Sequence, residues 1–323
     1  MKATAKAHPI QGLVKYHGMR DEQRRMPYHD SISVCTAPSH TRTTVEFDPG
    51  REEDVYVIDG ETVDGRGAER IDSVVDRVRE LAGFDHRVRV ESENSFRTNI
   101  GFGSSASGFA ALATALTEAA GLDYSRPEIS TIARRGSASA ARAVTGAFSH
   151  LETGVNDEDC RSHRIETGLE DDLTVIAAMV PSYKETEAAH EEAAESHMFQ
   201  ARMAHIHAQI SDARDALRNE AFDRLFELAE HDSLSLAATT MTGPSGWVYW
   251  QPRTIEVFNT VRELRDDGVP VYFSVDTGAS VYVNTTEEYA DRVEEAVADC
   301  GVETRRWGVG GPARVLDSDE ALF

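Results

Sequence analysis

Residues 94–112, Asn-Ser-Phe-Arg-Thr-Asn-Ile-Gly-Phe-Gly-Ser-Ser-Ala-Ser-Gly-Phe-Ala-Ala-Leu, form a glycine- and serine-rich stretch that runs into an apolar helical segment. Glycines let a backbone approach an anion closely, and a helix N-terminus offers free N–H groups and the positive end of its dipole. The spacing favours phosphate binding; the alternative is a tight turn that packs small residues against a helix. The candidate phosphate-binding residues are Gly101, Gly103, Ser104, Ser105, Ala106, Ser107 and Gly108.

This stretch differs from two common nucleotide-binding motifs. No Gly-Lys-Ser/Thr follows the glycines, so it is not a Walker A loop, and it lacks the dinucleotide-binding fingerprint. The hydroxyls of Ser104 and Ser105 can reach a phosphate or Mg²⁺, and Ser105 is the candidate metal ligand.

Around this stretch, strand-like and helix-like segments alternate in the first half of the chain, and helices dominate the second half. The pattern predicts an α+β fold with a boundary near residue 182, which divides the chain into 1–182 and 183–323. The predicted elements closest to the chemistry are a helix over 132–144, helices over 185–210 and 212–231, and a hairpin of 271–275 and 281–284.

The charge balance excludes two classes of partner. The chain has 33 basic and 56 acidic residues, a formal net charge of −23. Such a surface repels nucleic-acid phosphates and anionic lipid headgroups, so we expect neither nucleic-acid binding nor membrane docking.

Lysine is almost absent from this acidic chain. It occurs only at Lys2, Lys6, Lys15 and Lys184, and the remaining basic residues are arginine. This composition is typical of proteins from salt-in halophiles, where high salt screens the self-repulsion. An ordinary acidic cytosolic protein is the alternative.

Three cysteines, Cys35, Cys160 and Cys300, have no spacing typical of disulfide frameworks or zinc sites. The N-terminus lacks an apolar signal core, and no stretch is apolar for 18 residues. These features predict a cytoplasmic protein.

Four collinear segments resemble the mevalonate diphosphate decarboxylases of the GHMP kinase superfamily. Residues 94–112 resemble Asn-Asn-Phe-Pro-Thr-Ala-Ala-Gly-Leu-Ala-Ser-Ser-Ala-Ala-Gly-Phe-Ala-Ala-Leu, and 15–22 resemble Lys-Tyr-Trp-Gly-Lys-Arg-Asp-Glu. Residues 31–34 match Ser-Ile-Ser-Val, and 133–142 resemble Ala-Arg-Lys-Gly-Ser-Gly-Ser-Ala-Cys-Arg. Residues 273–279 more loosely resemble Thr-Phe-Asp-Ala-Gly-Pro.

The resemblance implies a two-lobed fold and an activity. The expected N-terminal lobe is like the second domain of ribosomal protein S5 and binds the nucleotide, and the C-terminal lobe is a ferredoxin-like α/β sandwich. Members of the family use ATP and Mg²⁺ to phosphorylate a tertiary 3-hydroxyl, then expel that phosphate together with CO₂ to leave a double bond. A homodimer is a further expectation from the family.

The same resemblance assigns roles to individual residues. Asp276 is expected to orient and deprotonate the 3-hydroxyl, and Lys15 to partner Asp276 and the transferred phosphate. Arg142 is expected to grip the substrate carboxylate in bidentate fashion. Ser137 and Ser139 are expected to hydrogen-bond the 5-phosphate, and Tyr16 is a further expected substrate contact.

Two departures from the family concern the phosphate tail. The family's second lysine in Lys-Tyr-Trp-Gly-Lys, which contacts the diphosphate, is Met19 here. The family's Ser/Arg-rich central segment corresponds to residues 185–195, which are acidic and lack arginine. Both changes favour a less charged tail. The sequence therefore predicts decarboxylation of mevalonate 5-phosphate to isopentenyl phosphate, as in an archaeal variant of the mevalonate pathway.

Three alternatives remain open at this point. The chain could decarboxylate the diphosphate to isopentenyl diphosphate, although Met19 argues against that. It could stop at phosphorylation as a mevalonate 3-kinase, although such relatives lack the Asp/Lys/Arg set. It could also be a non-catalytic homologue that only binds a partner.

Overall fold

The computed structural model describes residues 1–96, 104–181 and 192–323. Its strands are β1 (Lys2–Ala7), β2 (Ile10–Val14), β3 (Met19–Asp21), β4 (Met26–Pro27), β5 (Ser31–Ala37), β6 (Thr41–Asp48), β7 (Val55–Ile58), β8 (Glu61–Thr62), β9 (Arg87–Asn94), β10 (Phe148–Glu152), β11 (Arg161–Arg164), β12 (Leu173–Met179), β13 (Tyr272–Ser274), β14 (Val281–Thr286), β15 (Glu303–Val309) and β16 (Arg314–Leu316). Its helices are α1 (Gly65–Ala82), α2 (Ser104–Ala119), α3 (Arg126–Gly136), α4 (Ala140–Thr145), α5 (Leu169–Asp172), α6 (Phe199–Arg218), α7 (Phe222–Met241), α8 (Pro252–Asp266) and α9 (Ala290–Asp299).

The first sheet has the strand order β16-β1-β6-β9-β7-β8. Its pairs are antiparallel except for β7 and β9, which run parallel. The apolar face of this sheet packs against α1 to α4 in one core, where alternate strand residues such as Val88 and Val90 meet the alanine-rich side of α2. This packing holds α2 against the sheet.

The second sheet has the order β11-β10-β5-β15-β12-β14-β13, with β2 also paired to β5. Helices cover both faces of β12: Val175 and Ala177 share a core with α6 and α7, while Ile176 and Ala178 share another with α8 and α9. A strand covered on both faces must be apolar at every position, which explains the continuous apolar sequence of β12.

The model confirms the predicted α+β class and the hairpin, since β13 and β14 pair antiparallel around residues 275–280. The two ends of the chain meet in the first sheet, where β16 pairs with β1. In the second sheet, β12 from the middle of the chain pairs with β14 and β15 from its C-terminal part. The predicted boundary between 1–182 and 183–323 falls at residues 182–191, outside the described part of the chain, and stays a prediction.

One helix prediction near the site was wrong. Residues 132–144 do not form a single helix, because α3 ends at Gly136 and α4 begins at Ala140. Ser137 takes the C-cap and Ser139 the N-cap position, and serine favours such ends because its hydroxyl competes for backbone hydrogen bonds. The break places both hydroxyls at helix ends, where a ligand can reach them.

The predicted boundary between the next two helices was also misplaced. α6 continues through residue 211 to Arg218, and the turn lies at residues 219–221. The apolar face of α6, with Ile206, Ile210 and Leu217, stays buried across the expected break, so packing carries the helix onward. Residues 185–191 of the first predicted helix lie outside the described ranges. Among the described helices, none is long and apolar enough to span a bilayer.

Candidate active site

Lys15 and Asp276 meet where two strands end. Lys15 directly follows β2, and Asp276 lies two residues beyond β13. A Cβ placed on Gly12 would lie 2.7 Å from Lys15 Cγ and 2.9 Å from Asp276 Oδ1, so the bare backbone of Gly12 lies against both side chains. The absence of a side chain at residue 12 leaves room for the ammonium and the carboxylate on the same side of β2.

The Asp276 carboxylate has one hydrogen-bond donor in Tyr282 on β14. The Tyr282 hydroxyl lies 3.4 Å from Asp276 Oδ2 and also 3.3 Å from the Ile10 carbonyl oxygen. Burial raises the pKa of Tyr282 well above its usual range, and the Asp276 charge raises it further. The phenol therefore stays protonated and can donate to the carboxylate.

Arg142 is a buried cation beside these residues. It lies on α4 with 3% of its surface exposed, and its guanidinium lies 5.3 Å from the centre of the Tyr16 ring. Neither Nε nor Nη1 has a hydrogen-bond partner among the described residues. Burial lowers the pKa of Arg142, and the nearby Tyr16 and Asp276 oppose that shift. Two unpaired N–H groups on a planar, buried cation are suited to gripping a carboxylate.

The break between α3 and α4 lines a polar pocket next to Arg142. Ser137 Oγ and Ser139 Oγ lie 2.8 Å apart, and Ser105 Oγ lies 3.5 Å from Ser137 Oγ. Ser139 also hydrogen-bonds Tyr16. The pocket thus brings the predicted substrate residues and the first turn of α2 together.

Two arginines that the sequence reasoning missed add positive charge near this pocket. Arg70 on α1 donates from Nε and Nη2 to the carbonyl of Gly136, at 2.9 and 2.7 Å, and so lies at the end of α3. Arg25, in the turn between β3 and β4, also acts on the Tyr16 hydroxyl. Burial raises the pKa of Tyr16, and Arg142, Arg25 and Arg70 oppose that shift. Three arginines around the Tyr16 hydroxyl create a positive environment that is suited to holding a phosphate.

The predicted phosphate-binding stretch is described only in part. Gly101 and Gly103 lie outside the described residues, and only the backbone of Ser104 is described, as the first residue of α2. Ser105 is exposed, and a Cβ on Gly108 would meet no atom of the described residues within 4 Å. The first turn of α2 can therefore offer backbone N–H groups to an anion.

Ser107 and Ala106 contribute to this turn only through their backbones. Both are fully buried, and Ser107 Oγ lies 2.7 Å from Thr41 Oγ1 on β6. The Ser107 hydroxyl thus anchors α2 to the first sheet.

The buried environment of Lys15 comes from residues that the sequence reasoning set aside. Neither Asp232 nor Ser233 was among the predicted site residues, but both contact Lys15 from α7. A usable signal was present, because Asp232 falls four residues after Leu228 and four before Leu236, on the apolar face of its helix. A carboxylate on such a face predicts a buried cation as its partner.

The histidines of α6 do not build a metal site. His205 and His207 are exposed, and no group of three His, Cys, Asp or Glu side chains in the described ranges could hold a metal ion.

His29 is a buried neutral histidine beneath the site. Its Nδ1 lies 2.8 Å from the Asp30 carbonyl oxygen, and Nε2 has no partner in the part of the chain described. Burial, reinforced by the charge of Arg202, lowers its pKa from 6.5 to about 4.

We therefore expect the free energy of unfolding to fall as the pH drops from 6.5 towards about 4. In that window the unfolded chain binds a proton at His29 and the folded chain does not. The free energy of unfolding therefore falls by up to about 1.4 kcal/mol per pH unit. Urea unfolding at pH 7.5 and pH 5 should show this loss in the wild type and a smaller loss in His29→Gln. The exposed His207→Gln control should behave as wild type; an equal loss in His29→Gln would contradict the assignment.

Comparisons with known proteins identify the family to which the chain is similar. Residues 7–162 match the family model of the diphosphomevalonate decarboxylase-like N-terminal domain. The chain is 81% identical, over the full length of both proteins, to the phosphomevalonate decarboxylase of Haloferax volcanii. It is 27% identical to the diphosphomevalonate decarboxylase of Candida albicans, covering 87% of this chain and 83% of that protein.

Solved structures share the fold along nearly the whole chain. Mevalonate diphosphate decarboxylase from Staphylococcus aureus is 29% identical with a TM-score of 0.93, covering 98% of each chain. A solved complex with MVAPP, AMPPCP and magnesium is 27% identical with a TM-score of 0.93, covering 98% of this chain and 99% of that one. The overlap extends over both lobes of that fold.

Proposed function

The chain belongs to the diphosphomevalonate decarboxylase family, and we propose that it catalyses the ATP-dependent decarboxylation of mevalonate 5-phosphate. The products are isopentenyl phosphate, ADP, phosphate and CO₂. The fold is the two-lobed GHMP type of that family. The full-length similarity to a phosphomevalonate decarboxylase supports the monophosphate as substrate.

The observation that carries the proposal is the convergence of three charged groups. The Lys15 side chain and the Asp276 carboxylate both border the space that a side chain at residue 12 would fill. Arg142 lies close enough to interact electrostatically with Asp276, and two of its nitrogens have no partner among the described residues. Phosphorylation followed by loss of CO₂ requires a carboxylate to accept the proton, an ammonium for the phosphoryl charge and a guanidinium for the substrate carboxylate. Asp276, Lys15 and Arg142 supply these three groups.

In the first step we assign Asp276 to the proton of the 3-hydroxyl. Its carboxylate orients that hydroxyl and accepts the proton as the oxygen attacks the γ-phosphorus, and the bond to the departing ADP oxygen breaks. Lys15 lies beside the carboxylate and can stabilise the negative charge on the transferred phosphoryl group. This arrangement restricts the chemistry to a hydroxyl held next to Asp276.

In the second step we assign Arg142 to the substrate carboxylate. The C3–O bond breaks and phosphate leaves with its electrons, while the C1–C2 bond electrons form the new C2–C3 double bond and C1 departs as CO₂. Arg142 holds the carboxylate in line before that step, and Ser137, Ser139 and Tyr16 hold the 5-phosphate at the other end. Anchors at both ends fix the orientation of C3.

The residues of α2 fit the nucleotide and Mg²⁺ that this activity uses. The first turn offers backbone N–H groups, Ser105 is exposed, and no described residue lies within 4 Å of a Cβ placed on Gly108. A magnesium ion there would be held by Ser105 and by phosphate oxygens, in line with its preference for few protein ligands. The similarity to a complex with AMPPCP and magnesium supports this assignment.

Met19 is proposed to select the monophosphate. It is half-buried at the start of β3, three residues after Tyr16. We expect Met19→Lys to raise kcat/KM for mevalonate 5-diphosphate about tenfold or more, since a charge-assisted hydrogen bond contributes about 1.5–3 kcal/mol. Met19→Gln, which is polar but uncharged, is the matched control. Equal kcat/KM values for the diphosphate in both variants and in the wild type would contradict this role.

The function is tested by measuring ADP release with Mg²⁺-ATP in molar KCl, with CO₂ trapped in parallel. Mevalonate, mevalonate 5-phosphate and mevalonate 5-diphosphate are compared. Release of ADP and CO₂ from the monophosphate supports the proposal. Preference for the diphosphate would support the first alternative, ADP without CO₂ a 3-kinase, and no ADP with any of the three a non-catalytic homologue.

The remaining expectations stay proposals. These are a homodimer, a cytoplasmic location, a halophilic working environment, and lobes over 1–182 and 183–323. The net charge of −23 supports the salt requirement, because self-repulsion at low ionic strength destabilises a compact acidic chain. Sedimentation velocity in molar KCl, at several protein concentrations, would distinguish a dimer from a monomer.

A further inference from the structure

Beneath Lys15 lies a buried ion pair to which neither the family resemblance nor the proposed reaction assigns a role. Asp232 on α7 is 0% exposed, and Arg202 on α6 is 1% exposed. Arg202 Nη2 donates to Asp232 Oδ1 at 2.8 Å. Burying two charges costs free energy that a lone ion pair rarely recovers, so this pair calls for a reason beyond stability.

Both members of the pair also hold the backbone of Lys15. The Lys15 N–H donates to Asp232 Oδ2 at 2.9 Å, and the Lys15 carbonyl accepts from Arg202 Nη2 at 2.6 Å. The residue that follows β2 is therefore fixed at both of its peptide groups by one ion pair.

The side chain of Lys15 is held by the same helix. Nζ lies 3.7 Å from Asp232 Oδ2 and donates to Ser233 Oγ at 3.0 Å and to Ser274 Oγ at 3.2 Å. Each serine hydroxyl can place its own proton on a carbonyl, that of Ala229 at 2.7 Å or Gly12 at 3.1 Å. Their lone pairs then face the ammonium, and an ammonium has three protons to donate.

We propose that Asp232, held by Arg202, is a positioning residue that keeps Lys15 protonated and directed at Asp276. This inference rests on the proposed function only for its catalytic consequence. The ion pair, the two serine hydroxyls and the backbone contacts define the position of the ammonium, and Asp232 supplies a negative charge 3.7 Å from it.

The charges around Lys15 explain why a carboxylate is needed there. Burial lowers the pKa of Lys15, and Arg202 lowers it further, while Asp232 from α7 and Asp276 from the loop after β13 raise it. His29, which also faces the ion pair, is neutral at physiological pH. Without Asp232, Asp276 alone of these carboxylates would oppose the effects of burial and of Arg202 on the pKa of Lys15.

The scarcity of lysine makes a direct test possible. Protein labelled with ¹³Cε-lysine carries only four labelled side chains, and Lys15→Met identifies the signal of Lys15. In Asp232→Asn we expect that signal to titrate about one pH unit or more below its wild-type value. The alkaline limb of the kcat profile should shift by the same amount. Titration of Lys15 at the wild-type pH in folded Asp232→Asn would overturn the proposal.

Two further variants guard against a purely structural explanation. Glu230 lies on α7, two residues before Asp232, and pairs with Arg265 on α8. Glu230→Gln breaks that ion pair, so it should lower stability and leave the Lys15 titration unchanged. If Asp232→Asn does not fold, the double variant Arg202→Met/Asp232→Asn removes both buried charges and should still lower the titration of Lys15. An unshifted Lys15 signal in that variant would also overturn the proposal. The NMR titration needs no turnover, so its failure is distinct from absence of activity in the wild type.

Discussion

Asp276→Asn is expected to reduce turnover of mevalonate 5-phosphate by at least about 100-fold, because general-base assistance contributes about 10²–10⁴-fold. The amide keeps the shape of the carboxylate but cannot accept the proton of the 3-hydroxyl. It also leaves the Lys15 ammonium without one of the two negative charges beside it. ADP release and CO₂ release should fall together, since phosphorylation precedes decarboxylation.

The matched control is Asp267→Asn, nine residues earlier at the end of α8. Asp267 is exposed and pairs with Arg292 on the surface. The control should retain wild-type turnover and stability, and Asp276→Asn should retain the wild-type fold by circular dichroism. Wild-type turnover in folded Asp276→Asn would overturn the assigned role.

Arg142→Gln is expected to lower kcat/KM by one to two orders of magnitude while the protein becomes no less stable. Each charge-assisted hydrogen bond to the substrate carboxylate contributes about 1.5–3 kcal/mol. The wild-type guanidinium is buried with Nε and Nη1 unpaired among the described residues, which costs about 1–3 kcal/mol in the free protein. Kinetics and urea unfolding of the same preparation measure both effects.

Arg134 offers the opposite case for comparison. It is fully buried like Arg142, but it pairs with Asp157 and donates to the carbonyls of Arg24 and Cys160. Arg134→Gln should therefore lower the free energy of unfolding, because buried carbonyls lose their donor at about 1–3 kcal/mol each. Asp157 keeps its ion pair with Arg135. Equal destabilisation by the two variants would show that Arg142 is a structural arginine rather than a substrate ligand.

The fold class followed from local sequence patterns. The alternation of strand-like and helix-like segments predicted the α+β class, and residues 271–275 and 281–284 predicted the hairpin of β13 and β14. The helix boundaries were less predictable. The break at residues 137–139 and the continuation of α6 past residue 211 depend on packing against neighbouring elements, which periodicity does not encode.

For the site, the sequence by itself determined which residues carry the chemistry. The glycine- and serine-rich stretch, Lys15, Arg142 and Asp276 stand in collinear motifs that can be recognised without coordinates. Only the tertiary structure decided how they act together. Asp232 lies 217 residues from Lys15 in the chain and Arg202 lies 187 residues from it, yet both contact it. Such contacts arise because α6 and α7 pack against β2. That packing buries Lys15 and places the charges of Arg202 and Asp232 next to it.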